Sequence, residues 1–302
     1  MNLSPIFDNF FGERLLIELS VAGLLSGGHL LIEGPPGVGK TRLATLLSHA
    51  FGLKSNHIQG TPDLMPADIL GTHVLQNGKM VFVKGPVFCD ILQVDEINRI
   101  TPRTFAALLE AMQEKSVSLR NEIFPLSKQF HVLATRSTRE LEGVYNLPEA
   151  ALDRFIISLR LSLPSEVDES KIIFSVDNDF KDVVIEGSLS DHQTAAEQIP
   201  YSPKILDRCV QIVRQSRQDD KLLLGAGVRA SQALLSIGRS LSYVRGEKKV
   251  SLDSLKDAVL PVLSHRLKPF LYHHGVKAYV DQYLLDTDPA HQLRQRFGLV
   301  DK

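Results

Sequence analysis

The sequence predicts an α/β fold, a parallel sheet with helices on both faces, followed by a smaller all-α unit. Two observations predict the sheet. Short apolar runs alternate with segments of helical periodicity up to Pro164, and these runs lack the apolar–polar alternation of a sheet with one wet face. A third observation predicts the helical unit, because beyond residue 202 the periodicity is helical throughout.

Length and composition set the limits of the protein class. The chain has 302 residues, enough for about two domains, and 43% hydrophobic with 23% charged residues is the balance of a globular protein. Lys and Arg total 34 against 35 Asp and Glu, a net charge of -1, which argues against binding nucleic acid through bulk positive charge. Two cysteines cannot form a disulfide framework.

Targeting signals are not evident. The amino-terminal residues carry Asp8 and Glu13 and lack the basic start and apolar run of a signal peptide. The longest apolar stretches fall far short of the roughly 20 residues that span a bilayer, so no membrane insertion is expected. We therefore expect a cytoplasmic protein.

The elements of the first unit follow in order along the chain. Residues 13–25 have the spacing of an amphipathic helix that stops at Gly27 and Gly28, and a helix over 102–114 begins after a Thr101 N-cap and Pro102. A hairpin over 73–88 turns at Asn77 and Gly78, and a second covers 117–126. Buried strands are predicted at 29–33, 90–94, 130–135 and 155–161.

The second half of the chain differs from the first in composition and in hydrophobic periodicity. Residues 165–200 are rich in Asp and Glu and are interpreted as a connecting segment, a linker or irregular helix, between a unit over 1–164 and a helical unit over 201–302. Three helices are predicted in the latter, at 202–217, 228–244 and 252–264, and a mixed tail follows Phe270.

A phosphate-binding motif lies between the first strand and the helix after it. Residues 34–41, GPPGVGKT, match the Walker A pattern GxxxxGK[ST]. Glycines allow backbone N–H groups to close around phosphate oxygens, and the following helix presents its positive end to the anion. Lys40 supplies charge to the β- and γ-phosphates, and Thr41 supplies a hydroxyl to Mg²⁺. The predicted nucleotide-binding residues are Gly34, Pro35, Pro36, Gly37, Val38, Gly39, Lys40, Thr41 and the adjoining Arg42.

A pair of carboxylates follows the next predicted core strand. Residues 91–96, ILQVDE, have the form of a Walker B strand that ends in two acids. Asp95 is predicted to hold Mg²⁺ with Thr41, and Glu96 to orient and polarise the attacking water. Two acids after a strand are a weak signal alone, but about 55 residues after Walker A they indicate a P-loop ATPase that uses ATP and Mg²⁺.

These motifs belong to a longer resemblance. The chain resembles the MoxR family of AAA+ ATPases over about residues 13–267, in the segments LLIEGPPGVGKTRLA, MPADILGTHV, GPVFCDILQVDEINRITPRTFAALLEAMQE, HVLATRSTRELEGVYNLPEAALDRF and LLGAGVRASQALL. The resemblance implies an AAA+ core followed by a helical lid. It identifies the hairpins as the helix-2 insert and the pre-sensor-1 hairpin of the family, which normally face the ring pore or a partner.

The resemblance also implies roles for two arginines. Arg154, in LDRF, matches the arginine finger that reaches the γ-phosphate on a neighbouring subunit. Arg229, in GAGVRAS, matches the sensor-2 arginine, expected to touch the γ-phosphate in cis. Positive charge at either position stabilises phosphoryl transfer.

One position departs from the family pattern. Relatives usually read ATQNP after the strand at 130–135, with Asn as sensor 1, whereas this chain reads ATRST and places Ser137 there. A serine side chain is shorter than asparagine, and losing one positioning group of this kind costs roughly 10²-fold in rate. We expect ATP binding to be normal and hydrolysis to be slow.

Three functions are compatible with these residues. The leading one is ATP hydrolysis in a ring, expected to be a hexamer, that remodels a client protein, by family analogy one with a von Willebrand A domain. The second is a nucleotide-gated binding switch with little hydrolysis, which Ser137 favours. The third is a DNA-acting AAA+ motor, against which the near-neutral charge weighs.

Overall fold

The central element is a five-stranded sheet, ordered β2 (Ser55–Gln59), β5 (Ile91–Asp95), β8 (His131–Ser137), β1 (His29–Gly34) and β9 (Phe155–Arg160), whose neighbouring strands are all parallel. The computed structural model describes residues 1–120, 122–137, 143–174, 180, 183–219, 222–269 and 280. Its strands are β1 (His29–Gly34), β2 (Ser55–Gln59), β3 (Gly71–Gln76), β4 (Lys79–Lys84), β5 (Ile91–Asp95), β6 (Ser116–Leu119), β7 (Glu122–Pro125), β8 (His131–Ser137), β9 (Phe155–Arg160), β10 (Leu222–Leu224) and β11 (Lys268–Pro269).

Helices cover both faces of this sheet, as the sequence predicts. They are α1 (Ser4–Phe7), α2 (Arg14–Leu25), α3 (Lys40–Ala50), α4 (Pro66–Leu70), α5 (Pro102–Glu114), α6 (Glu149–Leu152), α7 (Glu166–Phe174), α8 (Leu189–Glu197), α9 (Pro203–Gln218), α10 (Val228–Val244) and α11 (Leu252–Leu263). Successive residues of β1 point to opposite faces: Leu30 and Ile32 pack with α2 and α3, and Leu31 packs with α5. An uninterrupted apolar strand is therefore the correct pattern for this position.

Two hairpins project from the sheet and confirm the sequence prediction. Asn77 and Gly78, with φ of 50° and 76°, form the two-residue turn between β3 and β4. The β6–β7 hairpin packs beside it, because the rings of Phe82 and Phe124 stack with centroids 4.1 Å apart. His73 Nε2 adds a contact to Glu122 Oε2 at 3.7 Å.

The helical unit differs from the prediction in two details. The segment 165–200, expected to be a linker or irregular helix, contains α7 and α8, and α8 buries Leu189 and Ala196 against the core that α2 and α10 share. The unit is also not purely helical, since β10 and β11 pair antiparallel. The tail after Phe270 lies outside the described residues except for Val280.

Edge strand β2 was not located by sequence analysis. Its sequence, SNHIQ, is short and polar, and Ile58 is its one buried side chain. It pairs with β5 from Ser55 to Gln59, so its carboxyl end lies beside Asp95. None of the described helices is long and apolar enough to cross a membrane.

Candidate functional site

The phosphate loop connects the carboxyl end of β1 to the amino end of α3. Gly37 and Gly39 have φ of 81° and 87°, the left-handed region that L side chains rarely adopt. A Cβ on Gly34 would lie 2.5 Å from the backbone oxygen of Leu161. Backbone geometry therefore favours glycine at all three positions, two of which, 34 and 39, are fixed by the Walker A pattern.

Lys40, Thr41 and Asp95 lie close together at the carboxyl ends of the parallel strands. Lys40 Nζ donates to the backbone oxygens of Gly34 and Pro35 at 3.0 and 2.8 Å, so its ammonium group lies against the loop. Thr41 Oγ1 donates to Asp95 Oδ2 at 2.9 Å. A hydroxyl and a carboxylate oxygen side by side are the hard ligands that Mg²⁺ prefers, so these residues fit the predicted metal.

Two further side chains hold Asp95. Thr135 Oγ1, on β8, donates to Asp95 Oδ1 at 2.9 Å. His57 Nε2, on β2, lies 2.9 Å from Asp95 Oδ2. Sequence analysis missed His57 because it missed β2. The signal that could have found it is a polar side chain two residues before the end of a strand that pairs parallel with β5.

Glu96 has a left-handed backbone conformation. Its φ of 52° is positive, and its backbone N–H donates to Thr135 Oγ1 at 3.1 Å. Its carboxylate Oε2 lies 2.8 Å from Arg99 Nε and accepts from Gln59 Nε2 at 3.3 Å. Two side chains thus orient the carboxylate, and one of them, Gln59, is again on the missed strand β2.

Ser137 ends β8 beside the phosphate loop. It is 8% exposed and is the register partner of Gly34 on β1. Arg136, one residue earlier, forms an ion pair with Glu33. The structure thus brings Ser137 to the same edge as Lys40 and Asp95. Arg42 points elsewhere, because its guanidinium lies over the ring of Phe180, 4.7 Å from the centroid.

Arg154 lies at the amino-terminal end of the parallel strands, opposite the end that carries the phosphate loop. It precedes β9, whose first residue, Phe155, is the register partner of His29 at the start of β1. The five steps from His29 to Gly34 span about 17 Å along the strand. Arg154 Nη2 donates to Gln113 Oε1 at 2.6 Å and Nη1 to the oxygen of Ala150 at 3.0 Å. The structure does not bring Arg154 to its own phosphate loop.

Arg229, expected to act as sensor 2, contacts the residue that precedes Arg154. At the start of α10, its Nη1 is 3.4 Å from Oδ2 of Asp153, the residue before Arg154. The helical unit packs against α2 and edge strand β9, and α11 contacts β9 as well. The ion pair of Arg229 thus joins the lid to the segment that precedes β9.

Comparisons with known proteins show the family of this chain. Residues 29–157 match the family model described as ATPase family associated with various cellular activities (AAA), and residues 214–278 match the AAA lid domain. The chaperone MoxR1 of Mycobacterium tuberculosis is 37% identical over 270 residues, which are 85% of this chain and 72% of that protein. The chain belongs to the MoxR family of AAA+ ATPases.

Other relatives support the same assignment of this MoxR-family chain. The protein YeaC of Bacillus subtilis is 34% identical over 88% of this chain and 86% of its own length. A solved structure from Cytophaga hutchinsonii, described as an ATPase, superposes with a TM-score of 0.81 and 26% identity, covering 99% of this chain and 93% of that one. The predicted fold, a P-loop AAA+ core with a helical lid, and ATP hydrolase activity are confirmed.

Proposed function

We propose that this MoxR-family ATPase hydrolyses Mg²⁺-bound ATP at sites shared between neighbouring subunits of a ring, expected to be a hexamer, and uses the energy to remodel a partner protein in the cytoplasm. The observation that carries the proposal is the separation of Arg154 from the phosphate loop across the length of the sheet. A cation at that position can complete only the site of another subunit.

Within one subunit, the residues at the carboxyl edge have distinct roles. Lys40 and the backbone N–H groups of the loop bind the β- and γ-phosphates, and Thr41 and Asp95 hold Mg²⁺. The metal, when bound, neutralises charge that develops on the phosphates. Glu96 orients the attacking water, and Ser137 stands beside the loop where it can contact that water or the γ-phosphate.

The neighbouring subunit contributes the cations. Arg229 of the lid forms an ion pair with Asp153, the residue before Arg154 in the core, so the two arginines belong to neighbouring segments. A finger of this kind is worth about 10³–10⁵ in rate. We propose that both arginines serve the nucleotide of the adjoining subunit, so that a change in the lid of one subunit affects hydrolysis in the next.

The partner is proposed to be a protein. The relative MoxR1 is described as a chaperone, and by family analogy the client carries a von Willebrand A domain. The hairpins leave large apolar side chains in solvent, with Leu75 70% and Ile123 71% exposed. Clustered exposed apolar surface is typical of a protein-binding site rather than of a site for nucleic acid.

The second candidate is a nucleotide-gated switch with slow hydrolysis. Ser137 favours it, because this side chain replaces the asparagine of sensor 1 at the register position next to Gly34. The positions of Asp95 and Glu96 favour turnover instead, since Asp95 contacts Thr41 and the adjoining Glu96 carboxylate is oriented by Arg99.

One assay tests the proposal. Phosphate release per subunit is measured against protein concentration, with Lys40→Ala as the blank and Arg154→Ala as the test of sharing. We expect the specific rate to rise as subunits associate, and Arg154→Ala to abolish turnover while ATP binding is retained. A specific rate independent of concentration, or full turnover by Arg154→Ala, would contradict the shared site. A blank-level rate with normal ATP binding would favour the switch.

A further inference from the structure

Asp153 is a carboxylate shared by two arginines of the lid. Its Oδ1 accepts from Arg266 Nε at 2.8 Å, and its Oδ2 lies 3.4 Å from Arg229 Nη1. Arg154 is the next residue along the chain. One acid thus joins both lid cations to the segment that carries the arginine finger.

The two ion pairs differ in kind. The side chain of Arg266 is 4% exposed and also donates to the backbone oxygens of Phe155 and Ile156 at 2.7 and 3.1 Å, so it fastens the end of α11 to the start of β9. The side chain of Arg229 is 56% exposed and meets Asp153 through a single nitrogen. The first pair is a structural lock, whereas the second is at the surface and leaves most of the guanidinium N–H groups available.

We propose that Asp153 is a positioning residue that holds Arg229 over the subunit edge, oriented for the nucleotide of the neighbouring subunit. The inference rests on the proposed function, in which Arg229 acts in trans. A long arginine side chain samples many rotamers, and a fixed anion selects among them before the phosphate arrives. Because Arg266 locks the same carboxylate to the lid, the anion itself is fixed.

Asp153→Asn is the variant that tests this. Asparagine retains the shape and an oxygen that accepts from Arg266 Nε, but removes the charge that holds Arg229. We expect kcat to fall about tenfold, in keeping with misplacement of a catalytic group. KM for ATP is expected to stay constant, since Lys40 and Thr41 lie at the other edge of the sheet.

Glu149→Gln is the matched control. Glu149 lies four residues before Asp153 and forms an ion pair with Lys268, at 3.1 Å, that also joins the core to the segment after α11. It contacts neither Arg229 nor Arg266 among the recorded ion pairs of the described residues, so we expect a kcat close to that of the unsubstituted protein. A loss equal to that of Asp153→Asn would show a general effect of loosening the lid and overturn the proposal.

A double-mutant cycle separates positioning from structural support. If Asp153 acts through Arg229, Asp153→Asn has no further effect on kcat once Arg229 is replaced by Ala. Multiplicative losses would show that Asp153 acts through Arg266 or the fold and would overturn the proposal. Asp153→Glu, which keeps the charge but displaces it, is expected to recover part of the rate and serves if Asp153→Asn does not fold.

Mixing two defective proteins tests the trans direction. Lys40→Ala subunits cannot bind nucleotide but carry an intact Asp153 and Arg229, so mixed rings with Asp153→Asn subunits are expected to exceed the summed rates of the two proteins alone. Absence of this gain overturns the proposal. A different result would contradict the proposed function itself: turnover by the unsubstituted protein that does not exceed that of Lys40→Ala. Full activity of Asp153→Asn beside an impaired Arg229→Ala overturns only the role of Asp153.

Discussion

Gly34 and Ser137 are register partners on adjacent parallel strands, so the first residue of the phosphate loop lies beside the last residue of β8. Parallel pairing fixes this neighbourhood through backbone hydrogen bonds, whatever side chain stands at position 137. The fold therefore preserves the sensor-1 position even though the usual asparagine is replaced. Its side chain, and not its placement, sets the contact with nucleotide.

Ser137→Asn is expected to raise turnover. The longer amide side chain restores the reach that serine lacks, and we expect kcat to rise about tenfold or more, with ATP affinity nearly unchanged. Single-turnover phosphate release measures the change. Ser118→Asn, at an exposed position of β6, is the control for a serine-to-asparagine change outside the site. Equal turnover before and after Ser137→Asn would remove the proposed defect.

Gly34→Ala is expected to destabilise the protein and weaken ATP binding together. The added Cβ would lie 2.5 Å from the oxygen of Leu161, whose N–H donates to Glu33 O at 2.7 Å, so the backbone of β1 or of the residue after β9 must shift. We expect a loss of about 2 kcal/mol in the free energy of unfolding, measured with urea. Gly27→Ala, at φ of 69° with open space around it, is expected to cost only about 1 kcal/mol and to leave ATP binding intact.

Arg266→Met is expected to be strongly destabilising. The guanidinium is almost fully buried, its pKa is lowered by that burial, and it donates to Asp153 and to the oxygens of Phe155 and Ile156. Removing one member of a buried ion pair costs about 3–5 kcal/mol. Arg239→Met, which loses one hydrogen bond to Ile199 O and a contact with the ring of Tyr201, is the comparison and should cost far less. Equal unfolding midpoints for the two variants would contradict the locking role of Arg266.

Stability is expected to fall as the pH drops below 6.5. Burial, aided by the charge of His131, lowers the pKa of His29 to about 3, and burial lowers the pKa of His131 to about 4. Between those values and 6.5 the unfolded chain binds more protons than the folded one, so the neutral histidines stabilise the fold above pH 6.5 and this contribution is lost toward pH 4.

The slope should be about 1.4 kcal/mol per pH unit for each histidine. His29→Gln removes one titrating group, and its free energy of unfolding, measured with urea at pH 6, 5 and 4, should depend less steeply on pH than that of the unsubstituted protein. Parallel curves would show that His29 titrates normally in the fold. His29 Nδ1 accepts the N–H of Val132 at 2.9 Å, which explains why protonation of that ring is disfavoured.

Much of the fold could be predicted because buried parallel strands and glycine loops leave local signals. The apolar run at β1, the glycines at 37 and 39, and the Asn77-Gly78 turn each dictate a conformation without help from the rest of the chain. Strand β2 gave no such signal, since an edge strand with one buried residue depends on its partner β5 for its conformation.

The site likewise contains residues that the sequence predicts and residues that only the tertiary structure reveals. Lys40, Thr41, Asp95 and Glu96 follow from motifs, whereas His57 and Gln59 depend on which strand lies next to β5. The ion pair between Arg229 and Asp153 was likewise beyond sequence analysis. It depends on where the lid packs, a tertiary property carried by contacts of α10 and α11 with α2 and β9.

The stacked rings of Phe82 and Phe124 have a consequence for how this architecture could be altered. The two hairpins lie at separate points of the sequence, one before β5 and one after α5. Each nevertheless covers the phenylalanine ring of the other. Deleting either one would leave a phenylalanine of the survivor facing water. The two insertions therefore form a single removable module: a shortened chain would tolerate the loss of both more readily than the loss of one.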